Sequence, residues 1–356
     1  MMWPYRPEAE DRLSGLTFAK RQPEEVASMS TLPKVTLFAL GGTIAMLEPE
    51  AGRGGVLTVS PDLLAAAAPS LAGIADLSVE TLAFSASVNL TLDDVDRLAR
   101  AVTAAFAGGA AGVVVTQGTD TLEEVAFALD LLLDVPGPVV VTGALRRPDQ
   151  AGADGPANLL GAVRAAVDPA CAGAGVLVVM NDEIHAARHV RKTHTFKPDA
   201  LSSAPFGPLG HMVEDSVRLI LWPATRLPRL TYHAPAPSVP VLWFGLGVGM
   251  ETVAPWLERR PHGVVVAGVG AGHVPQTVAG ALGELAAHVP VVLASRIGAG
   301  QTLTQTYGYP GGEVDLIGRG LVPSSFLDPA KARILLQLLL SSDASIDEIR
   351  RTFASL

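Results

Sequence analysis

Two threonines follow glycines just beyond apolar runs. They are Thr43 in Leu37-Phe-Ala-Leu-Gly-Gly-Thr-Ile-Ala-Met46 and Thr119 in Val113-Val-Val-Thr-Gln-Gly-Thr-Asp-Thr-Leu-Glu-Glu124. Each run reads as a buried strand that ends in a glycine turn. In an open α/β sheet that edge is where ligands bind. Two hydroxyls delivered to one crevice suit nucleophilic chemistry on a carbonyl. A threonine hydroxyl is a weak nucleophile unless a base or a charge assists it. The glycines, Gly41, Gly42 and Gly118, let the backbone turn sharply and approach a ligand. Backbone N–H groups at such turns also bind a carboxylate or a developing oxyanion. Taken alone, Gly42-Thr43 reads equally as a tight turn with a threonine cap.

The second segment adds carboxylates. Asp120 with Glu123, or Thr121 with Glu124, fits the spacing of a helix capping box. A carboxylate at a strand edge is equally suited to hold a substrate ammonium group. A third segment, His185-Ala-Ala-Arg-His-Val-Arg-Lys192-Thr-His-Thr195, brings a cation. Only five lysines occur in the chain, so Lys192 stands out. Beside Thr119 its amine could accept or relay a proton. His185 and His189 have helical i, i+4 spacing, but no HExxH pattern or third ligand accompanies them, and no metal is expected.

These residues need strands and helices to position them. Strands are expected at 35–40, 78–84, 112–116, 138–142, 175–180, 217–222, 241–246, 263–267 and 290–294. Several are continuous Val/Leu runs, as in parallel strands covered on both faces. Helices are expected at 92–107, 121–134 and 157–167. Two more begin at Asp328-Pro329 and at the capping box Ser345-Ile-Asp-Glu348. Alternating strands and helices imply βαβ units. The expected fold is α/β with two domains: a larger, mostly parallel sheet with flanking helices at 33–222, and a smaller parallel-sheet domain at 241–356. Five of the 27 prolines fall in 223–240, which reads as a linker.

Bulk properties narrow the function. The chain has 356 residues, 49% hydrophobic and 17% charged, with a net charge of −9. That composition is globular, and the acidic balance argues against a nucleic-acid partner. The single cysteine, Cys171, excludes an intrachain disulfide and Cys-rich zinc sites, and reads as a small buried residue. The charge-free stretches 101–119 and 231–250 are broken by glycines and polar residues or by prolines, so no membrane span is expected. Residues 1–32 mix acids, bases and prolines without an apolar core, which reads as a disordered leader and not a secretory signal. Met29 is an alternative start, and the expected location is cytoplasmic.

The ordered segments Gly41-Gly-Thr-Ile-Ala45, Gln117-Gly-Thr-Asp-Thr-Leu-Glu-Glu124 and Met180–Thr195 resemble the bacterial-type L-asparaginase and glutaminase-asparaginase family. Ala294-Ser-Arg296 and Pro329–Leu338 are similar to it as well, so the resemblance covers about 34–355. It implies hydrolysis of L-asparagine to L-aspartate and ammonia through an acyl-threonine, with no cofactor. By motif, Thr43 is the nucleophile, and Thr119, Asp120 and Lys192 form a second constellation. In that set Lys192 helps Thr119 in proton transfer, and Asp120 also holds the α-amino group. Gly42 and Gly118 line the substrate. Ser87 matches the serine that grips the α-carboxylate, with Ser85 two residues away. Family members are typically homotetramers built from close dimers, with sites completed by an acidic residue from a neighbouring subunit's smaller domain, so the resemblance implies a homodimer or homotetramer here.

Three departures stand out. Residues 47–60 carry no tyrosine, where the family has one near the nucleophile; Tyr307 and Tyr309 lie in another glycine-rich loop. Val88 replaces a glutamine that follows the serine in well-studied members. Gly268-Val-Gly-Ala-Gly272 lacks the family's following asparagine, which leaves Glu313 as the candidate acidic residue. These changes bear on affinity and on the choice between asparagine and glutamine. They keep open a glutaminase-leaning amidase and a weakly active amino-acid-binding homologue. A dinucleotide oxidoreductase would need a completed GxGxxG, which neither Gly245–Gly249 nor Gly268–Gly272 supplies.

Overall fold

The computed structural model describes residues 32–50, 52–57, 69–223, 226–227 and 229–356. The leader and the Met29 start lie outside these residues, as do parts of the loop at 47–60 and of the 223–240 segment. In chain order the strands are β1 (Lys34–Ala39), β2 (Met46–Leu47), β3 (Val56–Leu57), β4 (Asp76–Thr81), β5 (Gly112–Thr116), β6 (Val139–Thr142), β7 (Val176–Met180) and β8 (Glu183–Ala186). They continue as β9 (Arg191–Lys192), β10 (Leu201–Ser202), β11 (Gly210–Val213), β12 (Ser216–Leu219), β13 (Val241–Trp243), β14 (Val264–Gly268), β15 (Val291–Ser295) and β16 (Val322–Pro323). The helices are α1 (Leu92–Ala107), α2 (Leu122–Leu132), α3 (Gly155–Val167), α4 (Ala254–Arg259), α5 (Gln276–Ala286), α6 (Glu313–Gly318), α7 (Pro329–Ser341) and α8 (Ile346–Ala354).

The larger sheet has eight strands in the order β12-β11-β8-β7-β6-β5-β1-β4. From β4 to β7 the pairing is parallel, and β8, β11 and β12 add an antiparallel extension. The smaller sheet, β13-β14-β15-β16, is parallel throughout. Two short antiparallel ribbons, β2/β3 and β9/β10, lie outside both sheets. The fold is therefore α/β, with a large mostly parallel sheet and a separate small one.

The Val-rich strands form where β-branched residues can be covered on both faces. All five residues of β5, Gly-Val-Val-Val-Thr, are buried. Alternate residues serve opposite cores, as the period of two requires. Phe38, Val113, Val115, Val139 and Val141 face the core filled by α1 and α2. Leu37, Val114, Val140 and Leu177 face the core of α3. The first core continues through α7 to Val265, Val292 and Ala294 of the smaller sheet. One helix thereby joins the two sheets.

Helix α1 is capped by a box in which Thr91 and Asp94 satisfy each other's backbone N–H groups. Ser345 and Glu348 do the same for α8, and Asp328 caps α7. The expected strand at 78–84 lies at 76–81, and that at 241–246 ends at Trp243. Strands β8 (Glu-Ile-His-Ala) and β11 (Gly-His-Met-Val) are short, carry histidine and lacked an apolar signal. Residues 183–186 are extended, so the helical spacing of His185 and His189 is not realised.

Candidate functional site

Strand register assembles the site. In β1 and β5, Ala39 is paired with Thr116, and in β1 and β4, Ala39 is paired with Thr81. The loops leaving these three strands therefore emerge side by side at one sheet edge. β1 leads to β4 on one side, and the chain then crosses to β5 on the other. That reversal is a topological switch point, where open α/β sheets bind ligands.

Close approach of the loops depends on glycine. Gly42 has φ +89°, and a Cβ there would stand 2.1 Å from the Gly118 nitrogen. A Cβ on Gly118 would stand 2.8 Å from Ser87 Oγ. The two Gly-Thr turns thus meet backbone to backbone, and the Ser87 side chain packs against Gly118. Thr43 opens a short 3-10 turn and is half-buried. Thr119 is 4% exposed.

Lys192 reaches this edge from β9. Its Nζ donates to Thr119 Oγ1 at 2.9 Å and to Asp120 Oδ1 at 2.7 Å. The Lys192 side chain is largely buried, whereas that of Asp120 is 70% exposed. Neither anticipated capping box at the start of α2 forms. Thr121 occupies the cap position, but its hydroxyl donates to the Ser87 carbonyl at 2.8 Å. Asp120 turns to Lys192, and Glu123 accepts the backbone N–H of Lys192. Tertiary partners outcompete the local cap.

Ser87 is 2% exposed, and its Oγ has no hydrogen-bond partner among the described residues. A buried, unsatisfied hydroxyl is costly and is the kind of group a ligand completes. Ser85 is engaged instead, with Ala86 at 3.3 Å and Asn89 at 3.4 Å. Val88 beside it is exposed. Gln117, which the sequence did not single out, is fully buried, and its Oε1 also lacks a partner. A glutamine directly after a fully buried strand was the available signal.

Glu313 lies elsewhere, at the start of α6. It is fully buried, and its Oε1 accepts from the N–H groups of Thr306 at 2.9 Å and Tyr307 at 2.7 Å. Its Oε2 meets His273 Nε2 at 3.1 Å, and His273 Nδ1 meets Tyr309 Oη at 2.8 Å. Burial pushes this carboxyl up, but the Tyr307 and Thr306 donors outweigh it and hold the group below the ordinary carboxylate value. Tyr307 and Tyr309 pack around the same histidine. Among the described residues, these groups make no hydrogen bond to Thr43, Thr119, Asp120 or Lys192.

Other reactive groups are occupied or inert. His185 is fully buried and bonds Ser203 at 2.9 Å, and His189 stacks on Phe206. No group of three or more potential metal ligands occurs among the described residues. Cys171 is buried, and burial with the nearby Asp168 pushes its thiol up to about 12. No helix among the described residues is long and apolar enough to cross a membrane.

Fold and site define a two-sheet α/β protein with paired Gly-Thr turns and a lysine at the switch point. Residues 34–225 match the family model "Asparaginase, N-terminal", and residues 238–353 match "Glutaminase/Asparaginase C-terminal domain". The chain belongs to the asparaginase family. It is 39% identical to the probable L-asparaginase of Deinococcus radiodurans, over 91% of this chain and 98% of that protein. It is 34% identical to the probable periplasmic L-asparaginase of Haemophilus influenzae, over 92% of this chain and 94% of that one. The crystal structure of a probable cytoplasmic L-asparaginase from Campylobacter jejuni superposes with a TM-score of 0.80 at 33% identity. That match covers 90% of this chain and 99% of the other.

Proposed function

We propose that this protein hydrolyses L-asparagine to L-aspartate and ammonia, with Thr43 as nucleophile. The observation that carries the reading is the Lys192 ammonium held between Thr119 and Asp120 beside the Gly42–Gly118 contact. Thr43 Oγ attacks the side-chain amide carbon, and its proton passes towards the leaving nitrogen. The C–N bond breaks, ammonia departs and an acyl-threonine remains. Water then attacks the ester carbon while its proton passes through the Thr119 hydroxyl, held by Lys192, to Thr43 Oγ; the ester C–O bond breaks, and aspartate and the Thr43 hydroxyl are released. Asp120 holds the substrate ammonium, and Ser87 donates to the α-carboxylate, a role that suits its unpartnered hydroxyl. Backbone N–H groups at Gly42 and Gly118 border the same space and suit a developing negative charge.

The same reading makes the protein a cytoplasmic homodimer or homotetramer. Its catalytic domain is residues 33–222, its linker 223–240 and its second domain 241–356. Glu313 serves a substrate only if the second domain of a neighbouring subunit brings it there. Its buried bonds to Thr306, Tyr307 and His273 suit a support for the Tyr307–Tyr309 loop.

Ammonia release from L-asparagine, L-glutamine and D-asparagine tests the reading. Asparagine turnover is expected, falling at least ~100-fold in Thr43→Ala, Thr119→Ala and Lys192→Met. Full activity of Thr43→Ala would remove the nucleophile assignment. Faster release from glutamine would make the protein a glutaminase. No release from any of the three would leave an amino-acid-binding homologue.

A further inference from the structure

Lys192 sits on a strand of two residues, too short to fix its own place. Charged side chains from two helices hold the main chain around it. Glu123 of α2 accepts the backbone N–H of Lys192. Lys331 of α7 is 1% exposed and donates its ammonium to the carbonyl of Val190. Asp328, at the cap of α7, lies 3.7 Å from Arg191 Nε and 3.9 Å from Lys331 Nζ. Residues 190, 191 and 192 are thus each engaged by a different charged group.

Burying an ammonium is unfavourable unless it is paired and hydrogen-bonded. Here burial draws the Lys331 amine below its ordinary value, against the pull of Asp328 and Glu123. Burial pushes the Glu123 carboxyl up, against the pull of Lys331. An apolar pair would pack such a place at lower cost, but it could neither accept an N–H nor donate to a carbonyl.

We propose that Glu123 and Lys331 are positioning residues that hold residues 190–192 so that the Lys192 ammonium meets Thr119 and Asp120. The proposal rests on the role given to Lys192 above. Neither residue need touch the substrate. Each acts through the main chain that carries the lysine.

The test is steady-state asparagine hydrolysis by purified full-length wild type, Lys192→Met, Glu123→Ala, Glu123→Gln and Lys331→Met, each with a thermal melt. A misplacement of about 1 Å costs on the order of 100-fold in rate. On that scale Glu123→Ala should lower kcat by ~10–100-fold while KM stays within ~3-fold, because Asp120 and Ser87 are untouched. Glu123→Gln keeps an acceptor oxygen for the Lys192 N–H and should retain kcat within about 5-fold. Lys331→Met should lose kcat in the manner of Glu123→Ala. Variants that melt earlier but keep wild-type kcat below their melting range would make both residues fold stabilisers only and overturn the proposal. Glu123→Gln as impaired as Glu123→Ala would also overturn it. Should Glu123→Ala fail to fold, unchanged kcat in Lys331→Met is sufficient to reject the idea. Lys192→Met separates the two levels. If it is fully active, the role of Lys192 itself fails. If it is inactive while Glu123→Ala and Lys331→Met are active, only the positioning role fails.

Discussion

Gly42 and Gly118 meet so closely that a single added methyl on Gly42 would stand 2.1 Å from the Gly118 nitrogen. The atom in the way is backbone, so no rotamer change relieves the overlap. The φ of +89° at Gly42 adds a second penalty for any side chain. Gly42→Ala should therefore separate the two threonine turns. We expect a stability loss of about 1–3 kcal/mol from overpacking, together with loss of asparagine hydrolysis. Urea unfolding and ammonia release measure the two effects. A fully active Gly42→Ala would show that the turns need not touch.

Asp120 offers a different dissection. Its carboxylate is mostly exposed and leaves one side free for a ligand. Asp120→Ala should raise KM for asparagine by at least ~10-fold, as expected for removing a charged hydrogen bond worth about 1.5–3 kcal/mol. The fall in stability should be small, because the Asp120 carboxylate is mostly exposed and Thr119 still accepts from Lys192. An unchanged KM would separate Asp120 from substrate recognition.

The lone thiol gives a clean probe of packing. With Cys171 buried and its thiol pushed up to about 12, little thiolate exists at pH 8 and no reagent can reach it. The folded protein should resist aromatic disulfide reagents, and one equivalent should react after denaturation. Rapid labelling of the folded protein would contradict the core around Cys171.

Acid stability follows from His185. Burial, with a smaller contribution from His211, lowers its pKa from 6.5 to about 4. Between those values the unfolded chain binds a proton that the folded chain does not. The stabilisation is thus fully present above pH 6.5 and is lost as pH falls towards 4. The slope from this one group is at most about 1.4 kcal/mol per pH unit. Urea midpoints across pH 4–7 should fall with acid, and His185→Gln should flatten that dependence. An identical slope in the variant would assign the acid sensitivity to other groups.

Much of this architecture is legible in the residues themselves. Val113–Val115 and Val176–Val179 can only be strands covered on both faces, and Ser345 with Glu348 caps α8 as its spacing requires. The Gly-Thr turns are legible for the same reason: glycine after a buried strand has few other uses. What local sequence misreports is competition from distant groups. Asp120, Thr121, Glu123 and Glu124 spell a capping box twice over, yet Lys192 and Ser87 draw three of them away. The i, i+4 histidines look helical, but His185 lies on a strand antiparallel to β7. Glu123 reads as a capping-box acid and Lys331 carries no local signal, yet Lys331 is buried. Only the packing of α7 on α2 reveals that. Glu313, the candidate acidic residue, reads as a loop acid, and only the packing reveals its bonds to Thr306, Tyr307 and His273.

Helix α7, which joins the cores of the two sheets, also sets an order of events during synthesis. The strands that present Thr43 and Thr119 leave the ribosome long before residues 329–341 do. Until α7 arrives, the apolar side of α2 that it covers has no partner. A nascent chain can pair its first strands, but it must wait for its last tenth to bury that face. Premature termination anywhere before α7 would thus release a polypeptide that displays a sticky helix, a substrate for chaperones and proteases and not a smaller working enzyme.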